Sequence, residues 1–395
     1  MSYRFIDDGH VSSPQGYRAT GVSCGLKEVK ARDLAIVYST KPAHVAAIFT
    51  TNTITAAPVF FDRAVLARNT DAIRAVLINA GHANVATGQQ GLTNAIDCAK
   101  IAADELEVPR DSVLLLSTGR IGLSLPMDKM RDGIRRAASE LDSGGGRRAA
   151  IAILTTDIKP KDRALTLSLR ENRNIVIAGM AKASRLAVPR QATQLCVLTS
   201  DVSMDTHLLA RSLEQANERS FGRLALDSSA SPNDAVVLLA NGAADVAPIA
   251  DANSWVFGAW QEALEILCAD LAQQTARDAL AGGKLLQVHV RGAIEEDHAR
   301  SIARSVAQSS AVRRACAQAN PDWGGILIAI GVACAELRAD LLEIRLGAIT
   351  VLREGVAAPF DNTAAVQALS GSEIELTIDL HLGTHSATVL AGTTE

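Results

Sequence analysis

The sequence predicts an α/β (α+β) protein whose mixed sheets are layered with helices. Short apolar segments rich in Val, Ile and Leu alternate along the 395 residues with longer segments of helical periodicity. The chain is 48% apolar and 21% charged, which is typical of a globular protein with a large core. Only 3% of the residues are aromatic, so aliphatic side chains must form most of that core.

The first half of the chain alternates between predicted strands and helices. β-branched and apolar residues indicate the strands, and apolar residues three and four apart indicate the helices. Pro126 suits the first turn of a helix, and a run of glycines soon after it indicates a flexible connection. The predicted elements are strands at 33–39, 44–52, 75–81 and 112–119, helices at 92–106 and 126–141, a connection at 142–148, and a hairpin of 164–170 with 174–180.

The stretch "VPRQATQLCVLTSD" (188–201) passes from Pro and polar residues into an apolar segment of strand character, with Ala192 and Thr193 at the junction. On residue types alone it is a loop-to-strand boundary. The elements predicted after it are a helix at 203–221 with Ser203 as N-cap, a strand at 234–242, a long helix at 254–282, a strand at 284–292, a helix from about 295, and strands within 341–352, 374–380 and 386–392.

Composition excludes several classes of protein. The formal charge of -4 gives no reason to expect nucleic acid or an anionic membrane as a partner. No apolar run is long enough to span a membrane, and "MSYRFIDDGH" has no apolar core of a signal peptide. The six cysteines are scattered without a C-x-x-C pair, which predicts buried free thiols in a reducing compartment. We therefore expect a cytoplasmic protein.

Familiar catalytic motifs are absent from the sequence. There is no Walker A loop, G-x-G-x-x-G, H-E-x-x-H or G-x-S-x-G. "HLGTH" (381–385) spaces two histidines as a helical metal site would, but Gly383 and the surrounding alternation favour a strand or turn. What remains are small-residue loops at strand ends, such as "STGRIG" (117–122), which could present backbone N–H groups to an oxyanion.

Seven segments, in order, resemble blocks of the ornithine acetyltransferase (glutamate N-acetyltransferase, ArgJ) family. "STGRIG" resembles the family's S-T-G-V-I-G, and "GMAKASRLAVPRQATQL" (179–195) resembles G-M-A-K-G-S-G-M-I-x-P-N-M-A-T-M-L. The other five segments are "AIFTTNTITAAPV" (47–59), "NAGHANVATG" (79–88), "LTTDIKPK" (154–161), "SASPNDAVVLLANG" (229–242) and "NPDWGGILIAIG" (320–331).

The resemblance implies a DmpA/ArgJ-like self-processing fold. The precursor would cut itself between Ala192 and Thr193, giving an α chain of residues 1–192 and a β chain of residues 193–395. Residues 193–282 would complete the α/β core, and 283–395 would form a smaller C-terminal α/β domain. The family also implies an α₂β₂ assembly, small amino-acid substrates, and no cofactor or metal.

Site roles follow from the same resemblance. Thr193 would be the nucleophile, activated by its own new α-amine, and Thr118 with Gly119 would form the oxyanion hole. Thr156, Lys182 and Thr193 match positions that bind substrate, and Lys182 could pair with a substrate α-carboxylate. The expected reaction forms an acyl-enzyme from an N-acetylated amino acid such as N-acetylornithine. The acetyl group then passes to an amine such as glutamate.

Several departures from the family concern the substrate. Leu280 replaces a family Glu that would bind a substrate ammonium group. The sequence ends about a dozen residues earlier than those of the family, and the family's terminal segment, which places an Asn and a Ser or Thr in the site, has no equivalent in it. His82 stands where Asn is usual, and Arg120 adds a guanidinium beside the oxyanion loop, where it could recognise an extra carboxylate. Four alternatives follow: the parent reaction, transfer to a different amine in specialised metabolism, an amidase or peptidase that uses water, and an uncleaved non-catalytic homologue.

Overall fold

The structure is a computed structural model that describes residues 2–27, 31–169, 173–183, 193–224, 230–279, 283–333 and 337–393. They form two compact units. The larger contains the described residues up to 183 with 193–221 and 230–275, and the smaller contains 222–224 and the described residues from 276 onward. None of the helices in these ranges is both long enough and apolar enough to span a membrane.

The larger unit is built around a sheet flanked by helices. Its strands are β1 (Ser2–Phe5), β2 (Tyr17–Val22), β3 (Leu34–Phe49), β4 (Ile73–His82), β5 (Val113–Arg120), β6 (Lys161–Ser168), β7 (Asn174–Lys182), β8 (Leu195–Ser200) and β9 (Ala235–Ala240). Its helices are α1 (Ala57–Leu66), α2 (Gly88–Leu106), α3 (Met127–Ser139), α4 (Gly146–Ala152), α5 (Thr206–Glu218) and most of α6 (Trp255–Ala279). Short 3₁₀ turns lie at Arg110–Ser112 and Phe221–Arg223.

Strand β3 joins the two halves of this sheet. The strand order in the described residues is β1-β6-β7-β8-β9-β3-β4-β5, with β2 paired to β3. The first part of β3 pairs with β2 and β4, and His44–Phe49 pairs with β9. The sequence predicted two separate strands here. They are one strand, because the proline that interrupts the pattern, Pro42, lies within a register shift between Tyr38 and Ala43.

Two strand pairings place the loops that carry the predicted site. β7 and β8 are antiparallel, so Lys182 at the end of β7 lies opposite Leu195 at the start of β8. β8 and β9 are parallel, and Leu195 also pairs with Ala235. β4 and β5 are parallel and end together, with Gly81 opposite Gly119.

Aliphatic side chains form the core of the larger unit, as the low aromatic content predicted. Strand residues such as Ile36, Leu77 and Leu114 are fully or almost fully buried. Helix α2 contributes small side chains to the same core, including Ala99 and Ala102, and packs against β5. The five described cysteines are free thiols, and the four apart from Cys24 are buried.

The smaller unit has its own sheet and core. Its elements are β10 (Leu285–Ala293), α7 (Glu296–Gln308), α8 (Ser310–Ala317), α9 (Gly324–Ala333), a 3₁₀ turn (Ala339–Leu341), β11 (Glu343–Leu346), β12 (Ile349–Arg353), β13 (Val356–Ala357), α10 (Asn362–Ala368), β14 (Glu373–Asp379) and β15 (His385–Gly392). The strand order is β13-β12-β11-β14-β10-β15. α7 buries Ala299, Ile302, Ala303 and Val306, which share one helical face.

The predicted class of mixed sheets with helices is confirmed, and so is the rejection of a helical histidine pair. His381 has φ +51° in the turn after β14, and His385 begins β15. Two local predictions are wrong. The N-cap of α5 is Asp205, whose carboxylate accepts a hydrogen bond from Leu208 N at 2.9 Å, and not Ser203.

The second error concerns the predicted connection at 142–148, because helix α4 begins inside it at Gly146. The glycines there serve close packing. A Cβ at Gly145 would lie 1.8 Å from Ala19 O, and one at Gly146 would lie 2.6 Å from the His10 ring. The backbone of this segment therefore passes close to its neighbours, and close packing, not flexibility, explains these glycines.

Candidate active site

Lys182 lies at the centre of a buried polar group in the larger unit. Its side chain is fully buried at the end of β7. Its Nζ donates to Thr118 Oγ1 at 3.2 Å and to Thr155 Oγ1 at 2.8 Å. These contacts bring together the strand-end loops "STGRIG", "LTTDIKPK" and "GMAKAS", which lie far apart in the sequence.

Asp157 supplies the negative charge in this group. Its carboxylate is fully buried and lies 3.8 Å from Lys182 Nζ. Lys161 Nζ donates to it at 2.5 Å, and Ala183 N donates to it at 3.1 Å. The ammonium groups of Lys161 and Lys182 therefore both lie close to the Asp157 carboxylate, which offsets part of the cost of burying them.

Burial lowers the pKa of Lys182 to about 8. Asp157 opposes this shift, Lys161 and Lys27 add to it, and Asp234 opposes it. The ammonium form thus predominates at neutral pH but is lost within a mildly alkaline range. A buried cation of this kind can bind a carboxylate strongly, since little water competes for it.

The end of β5 forms the loop for which the sequence predicts an oxyanion hole, called the oxyanion loop below. Thr118 is buried, whereas the next residue, Gly119, is exposed and has φ +135°. A Cβ at Gly119 would lie 2.2 Å from the carbonyl carbon of Gly81. Only glycine fits there, so the backbone can turn where the core meets solvent. Behind the loop, Ser117 Oγ donates to Asn79 Oδ1 at 2.5 Å.

Thr193 lies just before β8, and its side chain is buried, with 7% exposure for the residue. Its Oγ1 is 2.8 Å from Ser231 Oγ, which is also buried. The hydroxyl of Thr193 therefore has a defined partner instead of bulk water. Ser231 Oγ also accepts a longer hydrogen bond, of 3.4 Å, from Asn233 N.

The carboxylate of Asp234 accepts hydrogen bonds from backbone N–H groups near both hydroxyls. Oδ1 accepts from Gln194 N at 2.8 Å, and Oδ2 accepts from Ser231 N at 2.9 Å. Asn233 Nδ2 anchors the same loop by donating to Ala83 O at 2.8 Å. A single side chain thus fixes the residue after Thr193 relative to Ser231.

Sequence reasoning did not single out Thr155, Asp157, Ser231 or Asp234. The signal was present, because all four lie in segments matched as family blocks, "LTTDIKPK" and "SASPNDAVVLLANG". The predicted Thr156 lies between Thr155 and Asp157 and is half-buried. Ala192 and Leu280 lie outside the described residues.

Arg120 is exposed at the end of β5 and pairs in register with His82. Burial lowers the pKa of His82, and the charges of Lys129 and Arg120 lower it further. Two cationic side chains, Lys129 and Arg120, therefore act on His82 beside this loop. Within the described ranges, no three His, Cys, Asp or Glu side chains are grouped so that they could hold a metal ion.

Comparison with known proteins decides the family. The model of the ArgJ family matches residues 18–393. The arginine biosynthesis bifunctional protein ArgJ of Thermosynechococcus vestitus is 40% identical over 90% of this chain and 84% of its own length. The protein of that name from Mycolicibacterium paratuberculosis is 38% identical over 98% of this chain and 94% of its own.

The chain belongs to the ArgJ family.

This membership confirms the family predicted from the seven blocks and identifies the chain as an acetyltransferase of the ArgJ type. Among solved structures, ornithine acetyltransferase from Mycobacterium tuberculosis, crystallised with ornithine, is 36% identical. The match covers 48% of this chain and 99% of that one, with a TM-score of 0.43. The Thr118, Lys182, Thr193 and Ser231 positions described above all lie within the span of the ArgJ family match.

Proposed function

We propose that the chain is a self-cleaving N-acyltransferase whose nucleophile is Thr193. The observation that carries this proposal is the buried Thr193 hydroxyl, which lies 2.8 Å from Ser231 Oγ at the expected Ala192-Thr193 junction. Family membership supports an acetyl group as the cargo. Cleavage between residues 192 and 193 would give an α chain and a β chain.

Cleavage would supply the base that the reaction needs. A threonine hydroxyl is a poor nucleophile unless an adjacent group accepts its proton. The new α-amine of Thr193 has a reference pKa of about 8, so it can accept that proton near neutral pH. Thr193 Oγ1 would attack the acetyl amide of a donor such as N-acetylornithine, and the acetyl-enzyme would then react with an amine such as glutamate.

The cluster around Lys182 would hold the donor. The Lys182 ammonium suits the α-carboxylate of an acetylated amino acid, and its hydrogen bond to the Thr118 hydroxyl at 3.2 Å links it to the oxyanion loop. We propose that Thr118 and Gly119 stabilise the negative oxygen of the tetrahedral intermediate, and that Thr156 and Lys182 contact substrate. No cofactor takes part in this proposal.

The two halves would stay together after cleavage. β7, before the junction, pairs with β8, after it, from Ile177–Ser200 to Lys182–Leu195. β3 of the first half also pairs with β9 of the second. Strands from both chains therefore complete one sheet, and we propose an α₂β₂ assembly of the cleaved chains that acts in the cytoplasm.

An acyl-transfer assay tests this function. The purified chain is incubated with N-acetylornithine and glutamate, and N-acetylglutamate, ornithine and free acetate are measured by mass spectrometry. We expect transfer to glutamate, no activity for Thr193→Ala, and partial activity for Thr193→Ser, which keeps a hydroxyl. Acetate release without an amine acceptor would favour the amidase reaction instead, and activity in Thr193→Ala would contradict the nucleophile.

The exposed Arg120 beside Gly119 favours one variation of this assay. A guanidinium there can pair with a second carboxylate, which the acceptor glutamate already has, so acetylated donors with two carboxylates are added to the screen. If N-acetylornithine supports no transfer while a dicarboxylate does, the chain acts on a different substrate with the same chemistry. Arg120→Ala should then raise the KM for the dicarboxylate alone.

A further inference from the structure

Self-cleavage needs a proton acceptor different from the α-amine that serves during turnover. Before the chain is cut, the nitrogen of Thr193 belongs to a peptide bond and is not an amine. It therefore cannot accept the proton of the Thr193 hydroxyl, although the hydroxyl must lose that proton to attack the Ala192 carbonyl. Another group has to accept it in the intact chain.

We propose that Ser231 carries this proton in the self-cleavage step, an inference that rests on the proposed self-cleavage. Its Oγ lies 2.8 Å from Thr193 Oγ1, within reach of direct proton transfer. A serine hydroxyl has one donor and two acceptor sites, so it can accept one proton while it gives up another. Ser231 is thus a catalytic residue for maturation.

The proton balance needs no external base. Thr193 Oγ1 forms a bond to the Ala192 carbonyl carbon, and the bond from that carbon to the Thr193 nitrogen breaks. The Thr193 hydroxyl proton passes to Ser231 Oγ, and the proton that Ser231 already carries passes to the Thr193 nitrogen, which becomes the amine. Ser231 is unchanged. Water then hydrolyses the resulting ester, which restores the Thr193 hydroxyl and leaves a carboxylate on Ala192.

The surroundings of Ser231 suit this role. Its residue exposure is 2%, so bulk water does not replace it as a proton carrier. Asp234 accepts from Ser231 N and from Gln194 N, which holds the backbone of Ser231 next to the backbone that follows Thr193. Asn233 N donates to Ser231 Oγ at 3.4 Å, occupying one acceptor site and leaving the other for Thr193.

Cleavage kinetics of the full chain test the proposal. Pulsed cell-free translation produces four chains: the unsubstituted chain, Ser231→Ala, Ser231→Thr and Ser212→Ala. The loss of each intact chain is then followed on denaturing gels. Ser212 is a matched control because its buried hydroxyl has no partner among the described side chains. We expect Ser231→Ala to cleave about 10²-fold more slowly. Ser231→Thr, which keeps the hydroxyl, and Ser212→Ala should cleave close to the original rate.

Two further measurements separate proton transfer from a structural role. In purified Ser231→Ala, hydroxide must remove the proton, so the residual cleavage rate should rise steeply with pH. Hydroxylamine, which cleaves esters, should not accelerate that cleavage, because slow formation of the ester, and not its hydrolysis, then limits the rate. A pH-independent rate or rapid cleavage by hydroxylamine would overturn the proposal.

The outcomes distinguish this inference from the proposed function. If the unsubstituted chain and Ser212→Ala both remain uncut, self-cleavage itself is wrong. If they cleave and Ser231→Ala cleaves as fast, only the role of Ser231 is wrong.

Discussion

Replacing Asp157 with asparagine tests the electrostatics of the Lys182 cluster. The change removes one negative charge and keeps the size of the side chain. The carboxylate is fully buried, with Lys161 Nζ at 2.5 Å and Lys182 Nζ at 3.8 Å. The substitution therefore removes a buried carboxylate from beside two buried ammonium groups.

The magnitude follows from these distances. Opposite charges about 4 Å apart interact by roughly 4 kcal/mol at an effective dielectric constant near 20. Removing one partner of a buried pair destabilises a protein by about 3–5 kcal/mol, because the remaining charge stays buried and uncompensated. We expect Asp157→Asn to lower the free energy of unfolding by about this amount. The pKa of Lys182 should fall below its value of about 8, since Asp157 raises it.

Urea unfolding followed by circular dichroism measures the effect, with Thr193→Ala present in every chain so that all are uncut. Asp270→Asn is the matched control. Asp270 accepts from Arg163 at 2.9 Å, but both side chains are partly exposed, and such pairs contribute about 0–1 kcal/mol. A loss below 1 kcal/mol for Asp157→Asn, equal to the control, would refute the claim that Asp157 compensates the buried charges of Lys161 and Lys182.

Two further predictions concern activity. Lys182 loses its charge above its pKa of about 8, so the KM for a carboxylate donor should be low below that pH and rise above it. Lys182→Met should have a high KM that does not depend on pH. A KM that stays constant with pH in the unsubstituted chain would contradict Lys182 as the group that binds the carboxylate. Gly119→Ala should reduce kcat by about 10²–10³-fold, the effect of losing one oxyanion donor, because its Cβ would lie 2.2 Å from Gly81. Gly88→Ala is the control, because Gly88 also has a positive φ but has open space where a Cβ would lie. This variant should lose only about 1–2 kcal/mol of stability and keep its activity. Equal activity of the Gly119→Ala and Gly88→Ala variants would contradict the role of Gly119 in an oxyanion hole.

Local patterns predicted much of the fold. Apolar alternation located β4, β5, β7 and β9 within a few residues, because strands buried in a sheet have continuous apolar runs. Pro42 made β3 look like two strands, since a local pattern cannot show that the chain continues through a register shift. The helix α4 was missed because the glycines before it read as a loop, and only the neighbouring backbone of Ala19 explains them.

The candidate site was predictable only in part. Thr118, Gly119, Lys182 and Thr193 came from family resemblance, since no property of their types or spacing distinguishes them from ordinary strand-end residues. Ser231 was not predicted as a partner of Thr193, because 38 residues separate the two and only the parallel pairing of β8 with β9 brings them together. The charge balance of Lys182 likewise depends on Asp157, which another loop supplies.

The most direct test of the central claim is the intact mass of the freshly purified chain and of Thr193→Ala. The account predicts two polypeptides for the unsubstituted protein, residues 1–192 and 193–395, and one uncut chain for Thr193→Ala. The acetyl donor should then add one acetyl group to the 193–395 polypeptide. A single uncut chain in a preparation that transfers acetyl groups, or an acetyl group on the 1–192 polypeptide, would contradict Thr193 as the nucleophile.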